Sequence, residues 1–149
     1  MKIVLQRVNE ARVRVGGEVV GEIDAGLILL CAFRETDNSA ILEWMAEKCL
    51  DLRVFPDDEG QMNRSLRDTG GGVLAISQFT LYGNCRKGRR PSFVSSAPAE
   101  QAAKLYEEFM EKLRARHEPV AAGIFQVHMD VELVNDGPVT LILEREATE

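Results

Sequence analysis

The longest uncharged apolar stretch of the chain, Ala25 to Phe33, sets what the rest of it can become. It falls far short of the roughly 20 residues needed to cross a bilayer. Leu27 to Phe33 is nevertheless long enough for a buried central strand, so the chain reads as a domain built around a sheet. The β-branched segments Lys2 to Val8 and Arg12 to Val15 come first, and Gly16-Gly17 is a hairpin turn into Glu18 to Ile23. A short strand at Arg53-Val54-Phe55 is followed by a polar turn from Pro56 to Gly60. Gly70-Gly71-Gly72 leads into a second buried strand, Val73 to Ile76, which runs on into Ser77-Gln78-Phe79-Thr80-Leu81-Tyr82.

Two stripes at helical spacing complete the pattern. Ile41, Leu42, Met45, Ala46, Cys49 and Leu50 follow a cap supplied by Asp37, Asn38 or Ser39. Ala102, Leu105, Tyr106, Phe109, Met110 and Leu113 follow Pro98, which suits a first helical turn. After Pro119, the residues Val127, Met129, Val131 and Leu133 alternate with His128, Asp130 and Glu132 as in a half-exposed strand. Asn135-Asp136-Gly137-Pro138 reads as a turn, and Val139 to Leu143 closes the sheet. The expectation is a mixed α/β single domain over residues 1–149, with strands dominating and two sizeable helices.

Composition narrows the function. Hydrophobic residues at 45% and charged residues at 28% suit a globular chain and not a disordered one. The 24 acidic against 18 basic residues give −6, so nucleic acid cannot be bound through the overall field; a local basic patch and a pocket would be required. Such a patch exists in the long loop Gly83 to Ala97, which carries Arg86, Lys87, Arg89 and Arg90. Loops of that length in compact domains are commonly functional, although a plain solvated loop is the other reading. Met1 to Arg7 meets charge too early for a signal peptide, and no apolar run spans a membrane, so a cytoplasmic protein is expected. Cys31, Cys49 and Cys85 form no Cys-x-x-Cys pair and read as thiols of a reducing cytosol. The two histidines, His117 and His128, have no metal-type partner nearby, and neither a metal nor a cofactor is expected.

The chain contains no Gly-x-Ser-x-Gly elbow, phosphate-binding loop or His-Glu-x-x-His helix. Gly70 to Gly72 lacks a following Lys-Ser/Thr and is a tight turn. His117 sits at the end of a charged helix, and His128 lies on the polar face of its strand. Two segments remain. Ser77, Gln78, Thr80 and Tyr82 cluster just after an apolar strand, where a sheet can hold side chains and amides rigidly, or where they merely form a strand edge. Asp136-Gly137-Pro138 is a turn in which a cis bond is accessible at modest cost.

These segments, Ser77-Gln78-Phe79-Thr80-Leu81-Tyr82 and Asn135-Asp136-Gly137-Pro138-Val139-Thr140, resemble the D-aminoacyl-tRNA deacylase family. Gln6-Arg7-Val8, Gly17 to Ile23, Leu52 to Phe55 and Lys87-Gly88-Arg89-Arg90-Pro91-Ser92-Phe93 extend the resemblance over essentially the whole chain. One departure is visible. Where many members read Phe-Gly-Ala before the methionine strand, this chain has Phe125-Gln126-Val127.

The resemblance implies largely antiparallel sheets curling into a barrel-like β/β/α arrangement with the two main helices packed outside. It implies hydrolysis of the ester joining a D-amino acid to the 3′-terminal adenosine of tRNA. It also implies a homodimer in which a cis Gly137-Pro138 pair from one subunit enters the pocket of the other and rejects L side chains. A wall of that kind cannot reject glycine, so glycyl-tRNA, including glycine mischarged on alanine tRNA, is an expected substrate. By the same resemblance Ser77, Gln78, Phe79 and Thr80 form the catalytic segment, and Val139 and Thr140 join Gly137 and Pro138 at the substrate. Phe125 and Met129 offer an apolar slot for adenine, with plain core packing as their other reading; Arg7 braces the Gly-Pro insert or else forms only a surface salt bridge; and the four basic loop residues meet the phosphates of the acceptor stem. Thr80 is a possible nucleophile, but neither motif supplies a base for it; backbone amides near Phe79 and Thr80, with the substrate 2′-hydroxyl organising water, are the other mechanism. No DNA or membrane partner is expected. A non-catalytic RNA-binding module and a hydrolase of small esters stand as alternatives.

Overall fold

The computed structural model describes residues 1–147. Its organising element is a strand of 14 residues, β1 (Lys2–Val15), continuous where the sequence suggests two pieces. Around it lie β2 (Glu18–Ile23), β3 (Gly26–Ala32), β6 (Gly72–Ser77), β7 (Val120–Ala122) and β8 (Asp130–Glu144). One edge of β1 pairs with β3 along its first half and β2 along its second, while β8 runs antiparallel along the other edge. From β3 outward the sheet turns parallel, β3 to β6 and β6 to β7. The antiparallel pattern expected from sequence thus holds around β1 but not beyond β3.

The sheet curls until β2 and β7 nearly meet, giving the barrel-like form. Gly21 marks the approach: a Cβ there would stand 2.7 Å from the Ala122 carbonyl oxygen, so any larger residue would push the two strands apart. Inside the curl sits a small core of Val8, Ala11, Val13, Ile23, Ile28, Leu74 and Ile76. The larger core lies on the other face, where Ile3, Leu5, Leu27, Leu29, Val73 and Ala75 meet the helices. Strands β3 and β6 are therefore covered on both faces, which explains their nearly unbroken apolar sequences.

Helix α1 (Ser39–Asp51) is capped by the Asn38 side chain, which accepts from the Ile41 amide at 3.0 Å. It buries the six residues of its expected stripe. Helix α3 (Ala99–Arg114) buries Ala102, Leu105, Tyr106, Phe109, Met110 and Leu113. Each large side chain so buried contributes about 1.5–3 kcal/mol of transfer free energy. The two helices are tied at the surface by Arg116, which meets Glu43 at 2.8 Å and Glu47 at 2.6 Å. The Met1 ammonium is buried against Asp37 at 2.7 Å, and this ion pair anchors the start of β1 beside α1.

Several local expectations need correction. The strand β4 (Phe55–Pro56) takes in the proline assigned to a turn, and pairs with β5 (Met62–Arg64). Helix α2 (Leu66–Thr69) is a single turn held by a reciprocal Ser65–Asp68 capping box, too short for periodicity to reveal. The three-residue β7 escaped notice for the same reason. The segment from Ser77 does not continue as a strand but folds at Phe79–Tyr82 into a 3-10 turn. Val127 and Met129 are not in a strand, because the chain turns at Gln126, whose φ is +65°, and extends again only from Asp130.

Finally, Asn135 to Pro138 is not a reversing turn. Strand β8 pairs with β1 on both sides of it, Gln6 opposite Thr140 and Val8 opposite Asn135, so residues 136–139 bulge out of the ladder facing Arg7 alone. Pro138 has no N–H to give to the ladder, and Gly137 adopts a φ of +127°, open only to glycine.

Candidate active site

A cavity of about 690 Å³ opens where β6 ends. That size is typical of small-molecule sites. One wall is Ser77, Gln78 and Phe79, delivered by β6 and the 3-10 turn. The Gln78 amide continues the sheet, donating to the Cys31 carbonyl at 2.7 Å, so the wall is fixed to the centre of the fold. The opposite wall is the irregular segment Phe125 to Met129, and the floor includes Phe33 and Ala102. Phe125 packs on Tyr106 with ring centroids 6.2 Å apart, and the Tyr106 hydroxyl donates to the Ala75 carbonyl at 2.8 Å. Burial raises the Tyr106 pKa, keeping it a neutral donor.

Thr80 stands apart from this lining. It is exposed on the 3-10 turn, and its hydroxyl accepts from the Gln78 side-chain amide at 2.5 Å. The turn bonds run from Leu81 to Gln78 and from Gly83 to Thr80. The amides of Phe79 and Thr80, first in the turn, have no acceptor within it.

The basic loop is joined to the cavity. Its base is closed by Asn84 and Ser92, which exchange backbone bonds of 2.7 and 2.9 Å. Phe93 stacks edge-on against Phe79 with centroids 5.1 Å apart, and Phe93, Ser96 and Ala97 line the cavity. Arg86, Lys87, Arg89 and Arg90 are exposed. None is in an ion pair among the described residues, whereas Arg7, Arg12, Arg34, Arg67 and Arg116 all are.

The second motif lies outside the cavity of its own chain. Arg7, 9% exposed, reaches across from β1. Its Nη1 donates to the Val54 carbonyl at 2.5 Å, and its Nε meets Asp136 at the backbone oxygen (3.2 Å) and at the carboxylate (3.1 Å). A Cβ on Gly137 would stand 2.9 Å from Arg7 Nη2, so the guanidinium lies directly against the bulge. Asn135 closes the bulge internally, accepting from the Val139 amide at 3.0 Å and donating to the Val139 carbonyl at 3.2 Å and Thr140 Oγ1 at 3.3 Å. The Gly137-Pro138 bond is cis.

A family described as D-Tyr-tRNA(Tyr) deacylase matches residues 4–144. The chain belongs to the D-aminoacyl-tRNA deacylase family. It is 55% identical over 147 residues to a D-aminoacyl-tRNA deacylase of Acaryochloris marina, covering 99% of this chain and 97% of that one. The corresponding protein of Pelobacter propionicus is 57% identical over 145 residues, covering 97% and 100%. Among solved structures, one titled c-Myc DNA Unwinding Element Binding Protein aligns with a TM-score of 0.93 at 41% identity, covering 99% of this chain and 100% of that one. A probable eukaryotic D-amino acid tRNA deacylase aligns at 0.81 and 20% identity over 95% and 97%, a likeness of fold. These relatives make the chain a hydrolase of that family.

Within this deacylase fold the structure brings Ser77, Gln78, Phe79, Phe125 and Met129 to one cavity and gathers Arg7, Gly137, Pro138, Val139 and Thr140 at another place. Phe33 and Ala102, which sequence reasoning passed over, also line the cavity, as do Gln126 and His128. Phe33 and Ala102 gave no signal because both fit ordinary core patterns. His128 sits at the rim with its Nε2 3.6 Å from Asp130. No helix among the described residues is long and apolar enough to cross a membrane.

Proposed function

We propose that the cavity receives the 3′-terminal aminoacyl-adenosine of tRNA and that the enzyme hydrolyses the ester when the amino acid is D. The observation that carries this reading is the pairing of a rigid polar wall, Ser77-Gln78-Phe79, with the apolar wall Phe125 and Met129, in a chain of this family. Adenine sits against Phe125 and Met129, and the scissile carbonyl faces the amides of Phe79 and Thr80. Water attacks the carbonyl carbon and the bond from that carbon to the ribose oxygen breaks. The proton lost by water passes to the departing oxygen, with the neighbouring 2′-hydroxyl organising the transfer. Thr80 is not the nucleophile in this scheme, since its hydroxyl is engaged by Gln78 and, among the described residues, no base bonds to it.

Handedness is judged by the partner subunit. The bulge 136–139 lies outside its own cavity, and among the described residues β8 pairs only with β1, leaving an edge with exposed Val134, Leu141 and Ile142. An open apolar edge of that length calls for cover. In the homodimer the Gly137-Pro138 backbone of one subunit walls the pocket of the other, and Arg7 braces it from behind. L side chains collide with this wall, D side chains point away, and glycine passes. The basic loop meets phosphates of the acceptor stem, and the enzyme acts in the cytoplasm.

A deacylation assay on D-tyrosyl-, L-tyrosyl- and glycyl-tRNA tests the proposal. The expected order is rapid release from D, release from glycine, and none from L. Binding without release would mark an RNA-binding module. Equal turnover of free D-amino-acid esters would mark a small-ester hydrolase.

A further inference from the structure

Gln126 is the only non-glycine among the described residues with a positive φ, +65°. L-residues enter that left-handed region at a steric cost that glycine escapes. Strain of this sort persists where the surroundings demand it, often at sites of recognition. Here it falls on the cavity wall, between Phe125 and Met129. The side chain is exposed, and its amide has no hydrogen-bond partner among the described residues. A glutamine amide offers a donor and an acceptor side by side, the match for the N7 acceptor and N6 donor of adenine.

Resting on the proposal that the terminal adenosine occupies the Phe125–Met129 slot, we infer that Gln126 is a specificity-determining residue that reads the N6/N7 edge of that base. The left-handed backbone holds Gln126 in the cavity lining, and stability is given up for the contact. Phe125 and Met129 hold any base by its face; Gln126 distinguishes adenine by its edge. Guanine presents two acceptors on that edge and leaves the glutamine acceptor unmatched.

The test measures kcat and KM on D-tyrosyl-tRNA ending in adenosine or in 7-deazaadenosine, which lacks the N7 acceptor. Gln126→Leu keeps bulk and backbone but removes the amide. On adenosine its KM should rise about 5- to 150-fold, the range of one bidentate base contact, with kcat nearly unchanged. On 7-deazaadenosine the wild type and Gln126→Leu should differ much less. Gln126→Gly should melt at a higher temperature than the wild type, because the left-handed penalty is gone, while its KM rises as well. Equal KM for wild type and Gln126→Leu on adenosine overturns the inference, as does a KM gap that persists undiminished on 7-deazaadenosine. A wild-type protein inactive on D-tyrosyl-tRNA of either kind overturns the proposed function and this inference together, so the two failures are distinguishable.

Discussion

At the scale of the residue, Arg7 ties β1 to two distant segments of the fold. It holds Val54 and Asp136 at once and lies against Gly137. Arg7→Ala leaves the Val54 carbonyl and Asp136 without their partner and should cost about 1–3 kcal/mol of stability, read by urea unfolding. Arg7→Lys should recover only part of this, because an ammonium cannot fork between two acceptors in fixed directions. Cysteine reactivity is a second residue-scale expectation. Burial raises the Cys31 thiol pKa strongly and pushes Cys49 up to about 12, whereas Cys85 is exposed in the basic loop. A thiol reagent should therefore label one cysteine in the native protein and three after unfolding; rapid native labelling of Cys31 or Cys49 would contradict the packing of the main core. Sequence reasoning found the residues of both motifs and, through the family resemblance alone, set Arg7 beside the Gly-Pro segment, but it did not find the Val54 or Asp136 contacts. Nothing in Arg7, Val54 and Asp136 taken singly says that a bulge will bring them together.

At the scale of the element, the surface carboxylates set the acid limit. Arg116, and then Arg67, hold the Glu47 pKa below the ordinary glutamate value, and the Ser65 amide holds Asp68 low. A carboxylate whose folded pKa is depressed stabilises the fold above its unfolded pKa, near 4, and that contribution fades as pH falls through the folded value. Stability should thus be level from neutral pH to about 5 and decline below about 4. Glu47→Gln should lower Tm at neutral pH, and the difference from wild type should shrink in acid. The basic loop gives a different measurement. If four phosphate contacts form, log K should fall with log salt at a slope of about −3, and replacing Arg86, Lys87, Arg89 and Arg90 by glutamine should flatten it.

Long elements with clear periodicity were legible: both main helices and the strands β3 and β6 agree with the apolar patterns, and β2 follows the Gly16-Gly17 turn that announced it. The shorter ones were not, since two to four residues contain no period to read. Strand β8 misled for a physical reason, because Asn-Asp-Gly-Pro carries turn chemistry wherever it occurs, and only pairing with β1 on both sides makes it a bulge.

At the scale of the molecule, the two motifs lie in separate places. One end of the sheet supplies a cavity with polar and apolar walls, and the bulge on β8 supplies a main-chain projection that the same cavity does not use. The proposal joins them across two subunits, and light scattering should then give twice the chain mass. This arrangement was the least legible feature from residue patterns alone, because neither place is complete in itself and the exposed edge of β8 shows only in three dimensions. The most direct test is the ratio of D- to L-tyrosyl-tRNA deacylation rates in the wild type and in Gly137→Ala, whose added methyl group would press on the Arg7 guanidinium and displace the bulge. The wild type should cleave the D ester and spare the L ester, and the variant, still folded and still binding tRNA, should lose most of that ratio. An unchanged ratio in the variant would contradict the claim that this backbone judges the hand of the substrate.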